Sequence, residues 1–435
     1  MSIISPKKMD LKKPASKTIV PKKIAIVGSG ISGLTTAWLL SQEHEVTVFE
    51  ANNYLGGHTA TVDVQVNGKT LAVDTGFIVF NDRTYPNFQR LLARIGVGAK
   101  PTEMSFSVRQ EQTGLEYNGH TLGSMFAQRS NLWSLKFYGF LSEIVRFNLL
   151  CKKVLQEQSL NNSDSLGDFL EQYGFSDFFT GHYILPMVAA IWSSSLADSR
   201  EFPLAFFLRF FNHHGLLNLI DRPQWYVVEG GSRSYIPALT APLKDIRLST
   251  PVLGIARQPH GVTMTTAAGS EDFDEVVLAC HSDQALRLLS DANDSERAIL
   301  GGLEYRDNEV ILHTDTSLLP KEPKAWASWN YWLDGRDDAL PAVTYNMNIL
   351  QGIDSKQTLC VTLNRSAAIA PEQILRRFNY AHPVYNHGAI AAQARRAEIC
   401  GQQHTHFCGA YWYNGFHEDG VNSALDVCAR FGIGL

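Results

Sequence analysis

Glycines 28, 30 and 33 of the run KIAIVGSGISG (residues 23–33) have the spacing of a phosphate cradle. Each has a separate task. Gly28 permits a tight turn, Gly30 lets a pyrophosphate come up against the backbone, and Gly33 lets the following helix pack closely on the preceding strand. Ser29, Ile31 and Ser32 share that turn and are candidate contacts of the same phosphates. Glu50, followed by Ala51, stands about 20 residues further on, where a carboxylate accepts hydrogen bonds from a ribose 2′-hydroxyl. The same carboxylate repels a 2′-phosphate, which argues against NADP. The chemistry is that of a dinucleotide site, and the glycines alone leave NAD and FAD both open.

Such a site needs a strand, a turn, a helix and a second strand in register. KIAIVG has the continuous apolar character of a buried parallel strand. ISGLTTAWLLSQ places Leu34, Ala37, Trp38 and Leu40 at helical spacing, and EVTVFE (45–50) reads as the second strand. The helix begins at the glycines, so its free N–H groups and positive dipole end face the ligand.

The chain has 435 residues, 45% of them hydrophobic, and a net charge of −5. That length predicts two domains or one large interleaved unit. The charge argues against a nucleic-acid binder. The six cysteines form no CxxC pair, which predicts reduced thiols in a cytoplasmic protein rather than a disulfide framework or a zinc site. His404, His406 and Cys408 alternate onto one side of a strand, but no fourth ligand accompanies them and no metal is expected. Residues 1–21 read as a disordered lysine-rich tail without the apolar core of a secretory signal. A loose contact with an anionic membrane surface, peripheral at the inner face, is the sharper reading of that tail. No run reaches the roughly 18 apolar residues of a membrane span.

The residues after Glu50 read ANNYLGGH (51–58), a second glycine pair following the second strand. With LAVDTGFIVF (71–80), VVEGGSRSYIPALTAPL (227–243) and HFCGAYWYNGFHEDGVNSALDVCA (406–429), this resembles the FAD-binding flavoproteins that include amine oxidases, phytoene desaturases and protoporphyrinogen oxidase. The resemblance covers nearly the whole chain after the tail. It implies an α/β fold in which a Rossmann-like FAD-binding domain is interleaved with an α+β substrate domain. It also implies FAD contacts at Gly56, Gly57 and His58, at Thr75, Gly76 and Phe77, and at Val252. In the C-terminal motif it implies Gly409, Glu418, Asp419, Gly420, Val421 and Ser423. His58 stands where much of the group carries Arg. Glu418 and Asp419 have a simpler reading as helix caps.

By motif position, residues 22–85, 223–300 and 400–435 form the FAD-binding domain, and 86–222 and 301–399 the substrate domain. The first insertion is helix-like and aromatic; the second contains strand-like runs. Its aromatic cluster AWASWNYW, Tyr345 of the run AVTYNMN (342–348) and the C-terminal motif supply the substrate candidates Trp329, Tyr331, Tyr345, Tyr411, Trp412 and Tyr413. The Lys that many amine oxidases place near the flavin has no counterpart in NEVILHTD (308–315), which weakens amine oxidation. The wording GGHTATVDV and GFHEDGVNSAL is similar to a bacterial subgroup associated with cyclopropane-fatty-acid-synthase-like methyltransferases, which implies such an enzyme as a partner. The expected function is an FAD-dependent oxidoreductase taking a hydride from a hydrophobic, fatty-acyl or lipid substrate. The alternatives are an amine oxidase, a non-redox isomerase or mutase, and an accessory flavoprotein. No catalytic residue stands out.

Overall fold

Strand Lys23–Val27 (β1), helix Ile31–Leu40 (α1) and strand Glu45–Phe49 (β2) build the β-α-β unit. Both strands are buried after their first residue, as their apolar runs require. Two mid-chain strands, Asp245–Arg247 (β3) and Glu275–Leu278 (β4), and one near the C-terminus, Thr405–Phe407 (β5), complete a parallel sheet in the order β3-β2-β1-β4-β5. The order in which strands are added reverses between β1 and β4. Ligands of such sheets bind beyond the carboxyl ends of the strands at this switch point. The β3–β4 connection is an antiparallel meander of Val252–Gln258, Gly261–Thr266 and Gly269–Phe273. This computed structural model describes residues 20–157, 160–161 and 163–435. Residues 1–19 of the lysine-rich tail lie outside them.

A second, seven-stranded sheet has the order 374–383, 305–313, 360–363, 342–346, 329–333, 106–110, 116–118. Only the pair 329–333 and 106–110 is parallel. All seven strands come from segments 86–222 and 301–399, whereas the five parallel strands come from the other three segments. Helices from the first insertion cover one end of the larger sheet. Phe137, Phe140, Ile144 and Phe147 of Leu135–Glu157 (α3) and Phe207, Leu208 and Phe211 of Leu204–His213 (α4) bury against Val108, Tyr331 and Val343.

Two close approaches set the geometry of the glycine turn. Gly28 has φ +103°, and a Cβ there would lie 2.9 Å from the Ala279 carbonyl oxygen just beyond β4. A Cβ on Gly33 would lie 2.0 Å from the Gly28 carbonyl oxygen. The helix can meet the turn only without a side chain at position 33. Gly33→Ala forces that contact apart, and overpacking of this kind costs about 1–3 kcal/mol or more. The variant is expected to show a lower Tm and to purify without bound flavin, as read by thermal unfolding and visible absorbance. Retention of flavin at the wild-type Tm would contradict this account of Gly33.

Candidate active site

One cavity of about 300 Å³ runs from the glycine turn to the seven-stranded sheet. Gly30, Ile31 and Ser32 line one end, and Trp329 and Tyr345 belong to the wall formed by the sheet. Gly30 is the N-cap of α1 and supplies no side-chain oxygen. The first-turn N–H groups of α1 have no intrahelical partner, and nothing lies within 4 Å of where a Gly30 side chain would stand. The second glycine pair lies over the first, since a Cβ on Gly57 (φ +56°) would be 3.4 Å from the Gly30 Cα. The Gly56 N–H donates to the Ser29 carbonyl oxygen at 3.1 Å.

Glu50 is buried at the end of β2. One of its oxygens accepts from the Ser29 N–H (3.0 Å) and hydroxyl (2.6 Å), and the other from the backbone and side-chain N–H groups of Asn52 (both 2.9 Å). It therefore ties the turn to β2, and a ribose hydroxyl would share oxygens already engaged. Its backbone carbonyl accepts from Thr250 N–H (2.9 Å), which brings the start of the Val252 strand beside it. Val252 itself is buried in the core of the parallel-sheet layer, and Ala51 is exposed.

The DTGF segment lies along the cavity. Phe77 N–H donates to the His58 carbonyl at 2.8 Å, and a Cβ on Gly76 would meet that same oxygen at 2.1 Å. Gly76 and Phe77 line the wall, while the Thr75 hydroxyl turns to Ala60 and Tyr380. A second helix N-terminus arrives from the C-terminal motif. His417–Arg430 (α5) packs on α1 so closely that a Cβ on Gly420 would stand 2.6 Å from the Ile31 side chain. Gly409 lines the cavity, and the Ser423 hydroxyl accepts from its N–H at 2.8 Å. Val421 packs with Ile31 and Leu34.

Glu418 and Asp419 do not reach the cavity. Glu418 accepts from the N–H groups of Asn87 (3.0 Å) and Phe88 (2.8 Å), capping helix Pro86–Ile95 (α2), whose own N-cap residue Tyr85 supplies no side-chain bond. Asp419 accepts from the N–H of Phe416, the N-cap residue of its own helix (2.9 Å). The capping reading thus replaces a direct role at the cofactor for both. Among the substrate candidates, Trp329, Tyr345 and Tyr411 line the cavity. Tyr331 lies ~7 Å further along its strand and is buried in the core of the helical layer. Trp412 is buried in the core of the parallel-sheet layer, and Tyr413 turns outward to donate to Asp426 at 2.6 Å. His406 pairs with Glu275 at 3.3 Å.

Sequence reasoning did not find His281, His382, His417, Tyr305, Phe416 or Ile191, all of which line the cavity. His281 follows β4 closely, at the carboxyl edge where ligands bind, and that position is a usable signal. His382 comes from strand Ile374–Pro383, and only tertiary structure brings it here. His417 donates to or accepts from the Tyr235 hydroxyl (2.8 Å), and its ring stacks on Phe77 at 3.3 Å. Burial holds the His417 imidazole neutral, well below the usual histidine range.

The site fits a flavin dinucleotide. It has a glycine cradle, an open approach to a helix N-terminus and an elongated cavity. His58 Nε2, Trp329 Nε1 and the Tyr411 hydroxyl are buried in its wall without a hydrogen-bond partner, ready for a polar ligand. These features define a flavin-dependent oxidoreductase. The chain belongs to the flavin containing amine oxidoreductase family, whose profile matches residues 31–341. It is 25% identical over 316 residues to carotenoid phi-ring synthase of Streptomyces griseus, covering 67% of this chain and 57% of that protein. It is 31% identical over 97 residues to the zeta-carotene desaturase of Arabidopsis thaliana, covering 22% and 17% of the two chains. The chain therefore spans less than two thirds of the length of these curated relatives. Its fold matches cyclohexylamine oxidase from Brevibacterium oxydans IH-35A (TM-score 0.67, 17% identity, 95% of this chain and 99% of that one). It matches a CLA-producing fatty acid isomerase from P. acnes equally well (TM-score 0.67, 15% identity, 94% and 98%).

Burial raises the Asp419 carboxyl from 3.8 to about 7. The folded state then holds a proton that the unfolded chain releases. The stability this gives is full below pH 4 and is lost as the pH rises from about 4 to 7. Asn cannot ionise and can still accept from Phe416 N–H. The Tm difference between Asp419→Asn and wild type, measured on flavin-free protein, is expected to become more positive from pH 4.5 to pH 8. A difference that stays constant with pH would overturn the assignment.

Proposed function

We propose that the chain oxidises a hydrophobic substrate of the fatty-acyl or lipid class, in the manner of a desaturase or oxidase. The observation that carries this reading is the cavity wall, in which no Asp, Glu, Lys or Arg occurs among the described residues. An apolar chain enters such a space favourably, whereas a charged substrate loses its hydration without gaining a partner. When bound, the flavin would supply the two-electron acceptor for a hydride equivalent leaving one substrate C–H bond, while the proton lost from the neighbouring carbon as the C=C bond forms passes to a neutral imidazole of the wall or to solvent. The protein's share is to hold that bond in place and exclude water. Ile78, Val79, Ile191, Trp329 and Leu350 supply apolar surface, and Trp329 meets Tyr345 edge-on at 5.0 Å.

Ile191 and Trp329 also line a second chamber of about 120 Å³, whose other walls include Met104, Phe106, Tyr117, Met187 and Leu216 together with His120, His214 and Arg222. A chain with its reacting segment in the first chamber would place its remainder in the second. Relatives named for carotenoid chemistry and a neighbour named for a fatty acid isomerase also support an apolar substrate.

The same reading accounts for an apolar outer face. Leu135, Tyr138, Val145 and Leu149 of α3 are exposed at helical spacing, opposite its buried stripe, and Trp133 just before the helix is 89% exposed. Of the nearby cations, Arg146 pairs with Glu143 at 3.5 Å and Lys136 lies over the Phe178 ring. Apolar side chains beside cations suit contact with an anionic bilayer surface. Among the described residues no helix is long and apolar enough to cross a membrane.

Two measurements test these points. Under anaerobic conditions an unsaturated acyl phospholipid is expected to bleach the flavin absorbance of wild-type protein. Ile191→Trp, which narrows the junction of the chambers, is expected to slow that reduction roughly tenfold or more. Bleaching by amines alone would overturn the substrate class in favour of amine oxidation. On anionic vesicles, W133S/L135S removes two insertions worth about 2 kcal/mol each, and binding is expected to weaken roughly 1,000-fold. Equal sedimentation of both proteins would remove the membrane role.

A further inference from the structure

Three imidazoles meet above the glycine turn. His58 follows the second glycine pair, His281 lies just past the carboxyl end of β4, and His382 comes from the large sheet. The ring centroids of His58 and His281 are 5.7 Å apart, those of His58 and His382 5.9 Å. All three line the cavity that holds the glycine turn, and His58 Nε2 is buried without a partner. His382 Nδ1 is bonded to the Ser193 hydroxyl at 2.8 Å, and His281 stacks on Tyr305 at 4.3 Å.

The dinucleotide assigned to this site carries a diphosphate with two negative charges. The N-termini of α1 and α5 both reach this cavity, and each offers roughly +0.5 of a charge. No Arg or Lys occurs among the described residues of the wall, so any fuller compensation must come from groups that acquire charge. Histidine is the side chain suited to this near neutral pH. We propose that His58, His281 and His382 form a protonatable diphosphate-binding cluster, so that the flavin dinucleotide enters together with at least one proton. The inference rests on the flavin assignment above.

In the flavin-free protein the surroundings hold these imidazoles neutral. Desolvation, and then the neighbouring imidazoles, pull His58 down to about 3, and desolvation pulls His382 to about 4. The other charged groups facing the cluster are Asp283 and Arg287, which bear on His281 with opposite signs and pair with each other at 2.7 Å. His417 and Tyr380 are the remaining titratable neighbours of His58. The imidazoles are therefore neutral by burial, and an anion in front of them acts in the opposite direction. The arrangement favours cofactor binding at low pH, with release as pH rises.

The test is calorimetric titration of the full chain, stripped of flavin, with FAD, ADP and riboflavin in buffers of differing ionisation enthalpy. Uptake of about one proton or more is expected with FAD and with ADP, but not with riboflavin, which lacks the diphosphate. FAD affinity is expected to fall about tenfold or more between pH 6 and pH 8.5. His58→Gln should lower the affinity at pH 6 and flatten this dependence. His58→Arg, carrying a fixed charge, should bind tightly across the range. Thermal unfolding of each variant confirms that it is folded. FAD binding without proton uptake, or with equal uptake for riboflavin, overturns the proposal while leaving the cofactor assignment intact. Failure of FAD to bind at any pH overturns both.

Discussion

Gly33 meets the Gly28 carbonyl so closely that a side chain there would lie 2.0 Å from the oxygen. Much else follows from it. Because α1 starts against the turn, its unpaired N–H groups point beyond the carboxyl ends of β1 and β4, where the sheet leaves a crevice. Because α1 is fixed there, α5 can lie along it with Gly420 against Ile31, and the C-terminal motif meets the N-terminal one. The second glycine pair then closes over the first. A site assembled from both ends of the chain depends on a contact between residues five apart.

The second organising feature is how charge is handled. Four buried carboxylates surround the cavity, and each turns away from it. Glu50 is held by Ser29 and Asn52, Asp74 by Thr61 and Ser232, Glu418 by the start of α2 and Asp419 by Phe416. Their acceptors are used to tie loops to helices and strands, which offsets the cost of burying them. The cavity wall is left with aromatic rings, aliphatic side chains and neutral imidazoles. Such a wall imposes little on a substrate's polar groups and much on its shape. Chemistry there must come from what the cavity binds.

The sequence made some of this legible and hid the rest for physical reasons. The strand–turn–helix unit could be read because its determinants are local: an apolar run, glycines at fixed offsets and helical spacing. The parallel arrangement of β1 and β2 follows from the same unit. Trp329 and Tyr345 could be singled out by aromatic density, but density does not separate Trp329, in the cavity, from Tyr331, two residues on and in the core. That difference is set by the helices covering the sheet. Tyr411 and Tyr413 diverge similarly, because a short turn after Gly409 sends one ring inward and the other to Asp426. His382 had no local signal at all, since its position depends on the pairing of strand 374–383 with 305–313.

The helical layer shows how one element can serve two environments. On α3 the buried stripe of Phe137, Phe140, Ile144 and Phe147 holds the helix to the sheet whose strands supply Trp329 and Tyr345. The opposite stripe, Leu135, Tyr138, Val145 and Leu149, is apolar and exposed. Core packing alone requires only the first stripe, and a helix serving solely as a cover would carry polar residues on the second. An apolar outer face stabilises nothing in the isolated fold. On the proposed reading, this face meets the apolar phase from which the substrate would be drawn. On that reading the inner and outer surfaces of this layer pose the same requirement, a route for apolar material that does not pass through water.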